Sequence, residues 1–467
     1  MVVPSLGHDI TGQAVRGIEH RAGVGMNPDP YELTDPDTPL GFDNLLHLLL
    51  SGLGWVAVAL GITAAVLIAW RLQSPETYEL HFAGPVRRMR WRLWAYISWE
   101  RLSRRCGLSA SEQVTRKDHE GRVVTRTRWT HPKLLQVNAS DYCLNLTVQT
   151  RMGLTVEDLE RAVPAIRDAA RAHGARSVVV APGTVRMELL MREHLSSVAH
   201  ATPPKAVATT RIPLGRCENG APWTLPVAGR HTLTVGCSGA GKGSLFWGIA
   251  GGFGPAIAAG LVHLIGIDLK YGIELSVGAR LFTKVATTEA DAVKTLAALE
   301  TLMDKRGAQM AGRTRQHNPT KSAPLIVLLI DELAGMTAYM SDPALRKEAA
   351  ASLSRILTKG RALGIGVVAF LQDPRKEVLP MRGLFTQTIA LRLRSRDEVT
   401  MVLGDGMADI APAHRISPDA PGTGYVIAED GQVTRVRSDF WTDDQIRSTA
   451  KQYGRAAGAT GERQRND

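Results

Sequence analysis

Apolar positions along this chain fall into one long run near the N-terminus and many short runs further on. Residues 45–70 are 26 consecutive positions without Asp, Glu, Lys or Arg. A helix of that length measures about 39 Å, whereas the hydrocarbon layer of a bilayer is about 30 Å thick. The run therefore predicts one transmembrane helix over residues 45–70, because a buried core helix is rarely so long and apolar on every face.

From residue 211 onward, short apolar runs suited to buried strands alternate with helical stretches. The predicted strands are 231–235, 261–267, 325–330, 367–371 and 388–393, and the predicted helices are 242–251, 287–311, 344–362 and 396–403. This alternation is typical of an α/β domain with a mostly parallel sheet covered on both faces, here over residues 205–445. Residues 111–200 predict a smaller α/β domain, in which a helix starts near Leu154 and ends at Gly174.

Charge is distributed unevenly around the long apolar run. Residues 1–44 hold seven acidic residues, two arginines and several prolines, which predicts an acidic, disordered arm. Residues 71–110 are rich in arginine, so the positive-inside rule predicts an N-terminus outside the cell membrane and a cytoplasmic remainder. Trp91, Trp94 and Trp99 lie among these arginines. They predict a juxtamembrane helix along anionic inner-membrane headgroups, with a solvated basic linker helix as the alternative.

Whole-chain composition narrows the class of protein further. Lys and Arg number 56 against 45 Asp and Glu, a formal charge of +11 that favours an anionic partner such as nucleic acid or acidic lipid. The four cysteines lie far apart and form no CxxC pair. A zinc ribbon, a disulfide scaffold and a dithiol redox centre are therefore excluded as the organising principle.

A glycine-rich loop follows the first predicted strand of the alternating region. It reads GxxxxGK and continues for two residues, and its members are Gly236, Cys237, Ser238, Gly239, Ala240, Gly241, Lys242, Gly243 and Ser244. Such a loop curls its N–H groups around phosphate oxygens, and the lysine reaches the β- and γ-phosphates. The next position usually carries a Ser or Thr hydroxyl for Mg²⁺ but is Gly243 here. Ser244 is rotated by about 100° on the helix, so it stays a candidate metal ligand without replacing that hydroxyl directly.

A second motif lies where the apolar run 325–330 leads directly into Asp331 and Glu332. This arrangement predicts that Asp331 holds Mg²⁺ through water and that Glu332 activates the attacking water. The run 367–371 ends at Gln372, for which γ-phosphate sensing and loop capping are both open. Candidates for a charge-stabilising contact across a subunit boundary are Lys359, Arg361, Arg392, Arg394 and Arg396.

Further matches accompany these motifs, namely Ile267-Asp268-Leu269-Lys270 and the segment 360–365. Together they resemble the FtsK/SpoIIIE family of DNA-pumping ATPases over about residues 205–445. Gly-Lys-Gly-Ser in the loop, with the lead-in segments 212–215 and 222–225, looks like the plasmid and integrative-element transfer (Tra) proteins of actinomycetes. Residues 145–193 are similar, more weakly, to the small domain that precedes the motor in that family.

The resemblance implies a RecA-like P-loop NTPase motor that forms a homo-hexamer, uses ATP and Mg²⁺, and threads double-stranded DNA through its pore. It implies phosphate binding by residues 236–244, Mg²⁺ binding by Asp331, water activation by Glu332, γ-phosphate sensing by Gln372 and a contact from Arg361 to a neighbour's ATP. Only 22 residues follow Gln445, so a sequence-reading winged helix is not expected, and 446–467 are predicted to be a disordered tail.

Residues 305–321, just before the second motif, are strongly basic. Arg306, Arg313, Arg315 and Lys321 are candidate DNA-binding residues of a pore, and a solvated surface loop is the alternative. The leading hypothesis is a membrane-anchored, ATP-dependent double-stranded DNA translocase for conjugative transfer. A septal chromosome-segregation pump, a protein-secretion ATPase and a non-hydrolysing nucleotide-binding scaffold are the alternatives.

Overall fold

The computed structural model describes residues 42–117, 122–375, 381–429 and 431–455. Residues 1–41 of the predicted acidic arm and 456–467 of the predicted tail lie outside the described residues. The chain divides into two compact units, with the boundary between Leu80 and His81.

The first unit contains a long apolar helix, α1 (Phe42–Gln73), and a short helix, α2 (Pro75–Tyr78). Within α1, Leu50–Gln73 is long and apolar enough to cross a membrane, and it is the one such helix among the residues that the structure describes. Residues 42–44, predicted to end the acidic arm, belong to this helix. A single π-helical turn, Glu79–Ala83, follows α2.

The second unit begins with a small domain built on a four-stranded antiparallel sheet with the order β3-β4-β6-β5. The elements up to residue 190 are α3 (Gly84–Arg105), β1 (Ala110–Lys117), β2 (Val123–Thr130), β3 (Lys133–Ala139), β4 (Cys143–Gln149), α4 (Val156–Ala170), β5 (Gly174–Ala181) and β6 (Thr184–Leu190). A capping box between Thr155 and Asp158 starts α4. The helix ends at left-handed Arg171 rather than at Gly174, because Gly174 already pairs in β5.

Helix α3 packs against this small domain through the face that carries its tryptophans. Trp99 is buried, and its indole Nε1 donates to the carbonyl of Pro132 over 2.8 Å. Trp91 and Trp94 pack partly against the same apolar core. The tryptophans therefore hold α3 on the small domain, because β3 and β4 offer the helix an apolar face that the sequence pattern does not reveal. That the helix lies along the headgroups stays a prediction, which the tryptophans no longer support.

The larger domain is a ten-stranded sheet with the order β11-β10-β12-β13-β9-β14-β15-β16-β7-β8. Its strands are β7 (Arg211–Cys217), β8 (Pro222–Pro226), β9 (His231–Val235), β10 (Val262–Ile267), β11 (Phe282–Ala286), β12 (Leu325–Ile330), β13 (Ile365–Leu371), β14 (Gln387–Leu391), β15 (Thr423–Ile427) and β16 (Val433–Ser438). The six strands β9 to β14 run parallel, and the other four are antiparallel. Every strand predicted in this region is present, with bounds within two residues of those expected.

Helices cover both faces of this sheet. They are α5 (Lys242–Gly252), α6 (Gly254–Ala258), α7 (Ile273–Ser276), α8 (Glu289–Met310), α9 (Ala334–Thr337), α10 (Pro343–Lys359), α11 (Arg396–Leu403), α12 (Met407–Ile410) and α13 (Asp443–Tyr453), with 3₁₀ turns at Ala279–Leu281, Arg382–Leu384 and Ala413–Arg415. Alternate residues of β12 enter opposite apolar clusters, with Leu325, Val327 and Leu329 in one and Ile326, Leu328 and Ile330 in the other. The uninterrupted apolar run of β12 therefore reflects burial on both faces.

The C-terminal helix α13 corrects the predicted start of the disordered tail. Thr442 and Gln445 form a capping box that begins α13, and Ile446 and Ala450 are buried. The tail predicted from residue 446 therefore begins too early, because a helix with an apolar stripe continues to Tyr453.

Parallel strands bring all their carboxyl ends to one edge of the sheet. We call the edge that carries residues 236, 268, 331, 372 and 392 the carboxyl edge, and the edge where β9, β10, β12, β13 and β14 begin the amino edge. Strands of five to seven residues separate the two edges by about 20 Å.

Candidate nucleotide site

The glycine-rich loop joins the carboxyl end of β9 to the start of α5. Gly241 has a φ of 94°, and a Cβ on it would lie 2.2 Å from the backbone nitrogen of Gly422. Only glycine suits this position, because both the backbone conformation and the neighbouring loop exclude a side chain. Lys242 folds across the loop, and its Nζ donates to the carbonyls of Gly236 over 2.8 Å and Cys237 over 3.2 Å. Burial lowers the pKa of Lys242, and the Glu332 carboxylate opposes that shift.

A cavity of about 700 Å³ opens beside this loop, a volume typical of small-molecule sites. The structure brings Lys242, Ser244, Asp331 and Gln372 together in its lining, as the motifs require. Its other lining residues include Asp268, Lys270 and Glu274 on one side and Val198, Pro421 and Phe440 on the other. The cavity therefore has a charged end and an end of mainly apolar side chains, the apolar end, where Arg437 also lies because its Nε donates to the Pro421 carbonyl over 3.2 Å.

Asp331 and Glu332 lie at the tip of β12, with Lys270 between them. The Nζ of Lys270 is 3.4 Å from Oδ2 of Asp331 and 3.4 Å from Oε2 of Glu332. Burial raises the pKa of Asp331 and of Glu332, and Lys270 opposes both shifts. Burial by itself would lower the pKa of Lys270, but the two carboxylates raise it above the usual value. Lys270 is thus the cation that balances this acidic pair.

The tips of two strands are linked through Glu332. Its Oε1 accepts a hydrogen bond from the backbone N–H of Gln372 over 3.2 Å. The contact orients the glutamate toward the space between β12 and β13. The Gln372 side chain lines the cavity, as a residue that senses a phosphate must. Its role stays a prediction.

Asp268, which the sequence left without a role, organises the turn after β10. Its carboxylate is fully buried and accepts backbone N–H groups from Lys270 over 2.9 Å and from Glu274 over 3.1 Å. The carboxylate thereby fixes the segment that presents Lys270 and Glu274 to the cavity. Lys270 was signalled by its motif, but Glu274 has no local sequence signal and was missed.

The candidate subunit-bridging arginines occupy different places. Arg361 lies at the amino edge, where its Nε donates to the Gly229 carbonyl over 3.0 Å and its Nη2 is 3.2 Å from Oε1 of Glu429. Arg392 donates to the Ser238 carbonyl of its own loop over 3.0 Å. Arg394 lines a second cavity beside Glu332, and Arg396 is paired with Asp409. Which arginine reaches a neighbouring subunit stays a prediction.

Arg306 does not serve the DNA-binding role predicted for it. It is 5% exposed, and its Nη1 donates to the carbonyls of Leu363 over 2.9 Å and Gly364 over 3.0 Å. The prediction is wrong because the Arg306 guanidinium is buried and donates its hydrogen bonds to the turn before β13. Arg313, Arg315 and Lys321 are exposed on the loop between α8 and β12, so their candidacy stands as a prediction.

The donor set of the charged end fits Mg²⁺. The Asp331 and Glu274 carboxylates and the Ser244 hydroxyl line one cavity, and Mg²⁺ prefers oxygen ligands. Among the described residues, no three or more His, Cys, Asp or Glu are grouped to hold a metal by themselves. This agrees with the usual Mg²⁺–nucleotide site, where one or two carboxylates share the ion with phosphates and waters.

A phosphate loop after one parallel strand and an Asp-Glu pair at the tip of another define the class of this protein as a P-loop ATPase. No family model matches the chain. The chain is 24% identical over 339 residues to the Transfer protein TraSA of Streptomyces ambofaciens, which covers 67% of this chain and 79% of that relative. It is 25% identical over 236 residues to a Sporulation regulatory protein of Streptomyces azureus, with 47% and 75% covered. The first of these relatives confirms the predicted resemblance to actinomycete transfer proteins.

Two solved structures align with part of this chain. The conjugation coupling protein TcpA of pCW3, in a monomer form with ATPγS, aligns with 69% of this chain and 93% of its own at 15% identity and a TM-score of 0.47. The cytoplasmic domain of the type VII secretion ATPase EccC from Thermomonospora curvata aligns with 56% of this chain and 32% of its own at 19% identity and a TM-score of 0.43.

Proposed function

We propose that this protein is a membrane-anchored ATPase that moves double-stranded DNA during conjugative transfer of a plasmid or integrative element. The observation that carries the proposal is the convergence of Lys242, Asp331 and Glu332 at the carboxyl edge, in or beside one cavity of nucleotide size. The similarity to a protein named for transfer supports DNA as the transported polymer.

The charged end of the cavity supplies the hydrolytic groups. Backbone N–H groups of residues 236–244 bind the phosphates, and Lys242 turns from its loop carbonyls toward the β- and γ-phosphates. Asp331 would hold Mg²⁺, which would supply positive charge beside the phosphates when it is bound. Glu332 takes the proton of the attacking water, a role that suits a carboxylate whose pKa is raised by burial. Gln372 senses the γ-phosphate from the next strand tip.

The apolar end of the cavity suits a nucleobase. Val198 and Phe440 are exposed there, and Pro421 lies next to the loop that packs on Gly241. The ring of Phe440 is braced by an edge contact with His200, with centroids 5.7 Å apart. A flat aromatic base stacks favourably on such a surface. The cavity therefore orients a nucleotide with its phosphates toward Lys242.

Duplex DNA is assigned to the amino edge. Arg313, Arg315 and Lys321 are exposed there, and Arg211, Arg230, Arg315 and Arg361 line a cavity of about 650 Å³ at the same edge. Glu429 balances Arg230 and Arg361 but no other residue of this set. The excess of guanidinium groups suits sequence-independent contacts to phosphates.

Membrane attachment is assigned to α1 and α3. The length and apolar character of Leu50–Gln73 support a single-pass anchor. The arginines that follow it favour an N-terminus outside and an ATPase in the cytoplasm. On α3, the face opposite the buried tryptophans exposes Val86, Met89, Leu93, Tyr96 and Ile97, flanked by exposed Arg90, Arg92 and Arg101. An apolar stripe bordered by arginines suits the anionic headgroup layer. A homo-hexamer, in which one subunit's arginine reaches the next subunit's ATP, completes the proposal.

The proposal is tested by the ATPase rate of the full chain reconstituted in lipid nanodiscs. We expect linear duplex DNA to raise the rate at least about tenfold, and we expect Lys242→Ala to abolish both the basal and the stimulated rate. Stimulation by an exported protein substrate and not by DNA would select the secretion alternative. An ATPase rate indifferent to duplex DNA would overturn the DNA-transfer function.

A further inference from the structure

We infer that Glu274 supplies the metal-binding oxygen that the phosphate loop lacks, so that Glu274 and Asp331 together position the Mg²⁺ of the bound nucleotide. The inference rests on the proposed ATPase function and adds a residue that neither the motifs nor the resemblance assigns.

The first support is the geometry around Gly243, the second residue of α5. A Cβ on Gly243 would lie 3.2 Å from Oε1 of Glu274, a crowded distance. The side chain of a Ser or Thr at this position would extend toward the same oxygen. The carboxylate of Glu274 therefore stands beside the place where the usual hydroxyl would project, and the glycine makes room for it.

The second support is the way in which Glu274 is held. Its Oε1 accepts a hydrogen bond from the indole Nε1 of Trp247 over 2.9 Å, and Trp247 is buried in α5 one helical turn after Gly243. The backbone N–H of Glu274 donates to the buried carboxylate of Asp268 over 3.1 Å. Two separate elements thus place the carboxylate at the edge of the cavity. Ligand groups need this kind of support to keep their geometry.

The third support is the local charge. The carboxylates of Glu274 and Asp331 line the same cavity, so two negative charges face one space. Lys270 pairs with Asp331 and Glu332 but has no contact of this kind with Glu274. A divalent cation between Glu274 and Asp331 would relieve their repulsion, and two carboxylates with phosphate oxygens form a typical Mg²⁺ set.

The test compares ATPγS affinity in Mg²⁺ with affinity in EDTA, using the full chain in nanodiscs and equilibrium binding. The ratio of the two affinities reports metal positioning without hydrolysis or DNA. We expect Glu274→Gln to reduce this ratio about tenfold or more, within the range typical of altered metal shells. Affinity in EDTA should be unchanged or higher, because a negative charge near the phosphates is removed.

A rescue variant sharpens the test. Glu274→Ala should also reduce the ratio, and adding Gly243→Ser to it should restore much of the ratio, since the alanine clears the crowded space and the serine brings a hydroxyl. Glu348→Gln, at an exposed position on α10, is the matched control and should leave the ratio unchanged.

Three outcomes decide the inference. A full wild-type ratio in Glu274→Gln overturns it, and so does an equal loss of affinity with and without Mg²⁺, which would mean that Glu274 only supports Trp247. A wild-type chain that binds no ATPγS at all overturns the proposed function as well, so failure of the inference and failure of the function are distinguishable.

Discussion

At the carboxyl edge of the ten-stranded sheet, the side chains of Lys242, Lys270 and Glu332 gather in or beside one cavity, whereas at the amino edge buried Arg306 and His231 bond to the backbone. The charged side chains of the carboxyl edge line a space for a ligand. The amino edge uses buried polar groups to hold its turns, and its exposed arginines face outward. Charged and polar side chains therefore line a cavity at the carboxyl edge, whereas the buried ones at the amino edge hold turns in place.

This difference separates three kinds of substitution. Changes at the carboxyl edge should alter nucleotide chemistry while the protein stays folded. Changes at buried positions of the amino edge should alter folding stability. Changes at exposed arginines of the amino edge should alter DNA binding alone. Each of the following predictions tests one side of this division, in order of decreasing expected effect.

Glu332→Gln should reduce ATP turnover about a thousandfold while ATPγS affinity changes little. The amide keeps the size of the side chain but cannot accept the proton of the attacking water, and general bases contribute about 10²–10⁴ in rate. Steady-state turnover and equilibrium ATPγS binding measure the two quantities. Near-normal turnover would assign the base to another residue.

Lys242→Ala should weaken ATPγS binding about a hundredfold, which corresponds to about 2.7 kcal/mol. The lysine is the cation inside the loop, so its removal leaves the phosphates without their mobile positive partner. Titration calorimetry gives the affinity, and an unchanged urea midpoint shows that the fold is intact. An affinity within threefold of wild type would remove the loop from the binding site.

Because of His231, the free energy of unfolding of the wild type should fall by about 2 kcal/mol between pH 7 and pH 5, and His231→Asn should remove this loss. The Nδ1 of His231 accepts the N–H of Val367 over 3.1 Å, and burial, assisted by Arg361, lowers the pKa of His231 to about 4. The His231 imidazole binds a proton near pH 6.5 in the unfolded chain, whereas in the folded chain it stays neutral until about pH 4. Stability is therefore complete above pH 6.5 and is lost as the pH falls toward 4.

Urea denaturation of both proteins at the two pH values measures this difference. Asparagine offers an acceptor oxygen to Val367 but does not titrate, so the comparison isolates the proton. Equal pH slopes in the wild type and the variant would show that His231 does not resist protonation in the fold.

Arg313→Glu combined with Arg315→Glu should weaken duplex binding about tenfold at low salt, lower the salt-dependence slope by about two, and leave ATPγS affinity unchanged. Each exposed arginine is expected to neutralise one phosphate. Lys284→Glu with Lys294→Glu changes the same number of charges at other exposed positions and serves as the control. Equal losses in both pairs would mean that only net charge matters and that the amino edge is not the DNA surface.

Much of the larger domain could be predicted because its signals are local. The run 325–330 must be apolar throughout to form a strand buried on both faces, and the observed β12 has those bounds. The loop 236–244 requires glycines for its backbone, so the spacing is visible in the sequence. The start of α13 could also have been found, since Thr442 and Gln445 have capping-box spacing.

Other interpretations changed because the deciding contact lies far away in the chain. Arg306 looks like its basic neighbours, and only the carbonyls at Leu363 and Gly364, some 57 positions later, turn it inward. The tryptophans of α3 fit a headgroup layer equally well until β3 and β4 cover them. Spacing along one helix cannot tell which face finds a protein partner.

The sequence by itself determined the alternation of strands and helices, the phosphate loop and the Asp-Glu strand tip, because these depend on neighbours within a few residues. Only the tertiary structure decided that Lys270 balances that acidic pair and that Glu274 stands against Gly243. Parallel strands collect loops from distant parts of the chain at one edge, so a side chain's neighbours there are set by strand order and not by its place in the sequence.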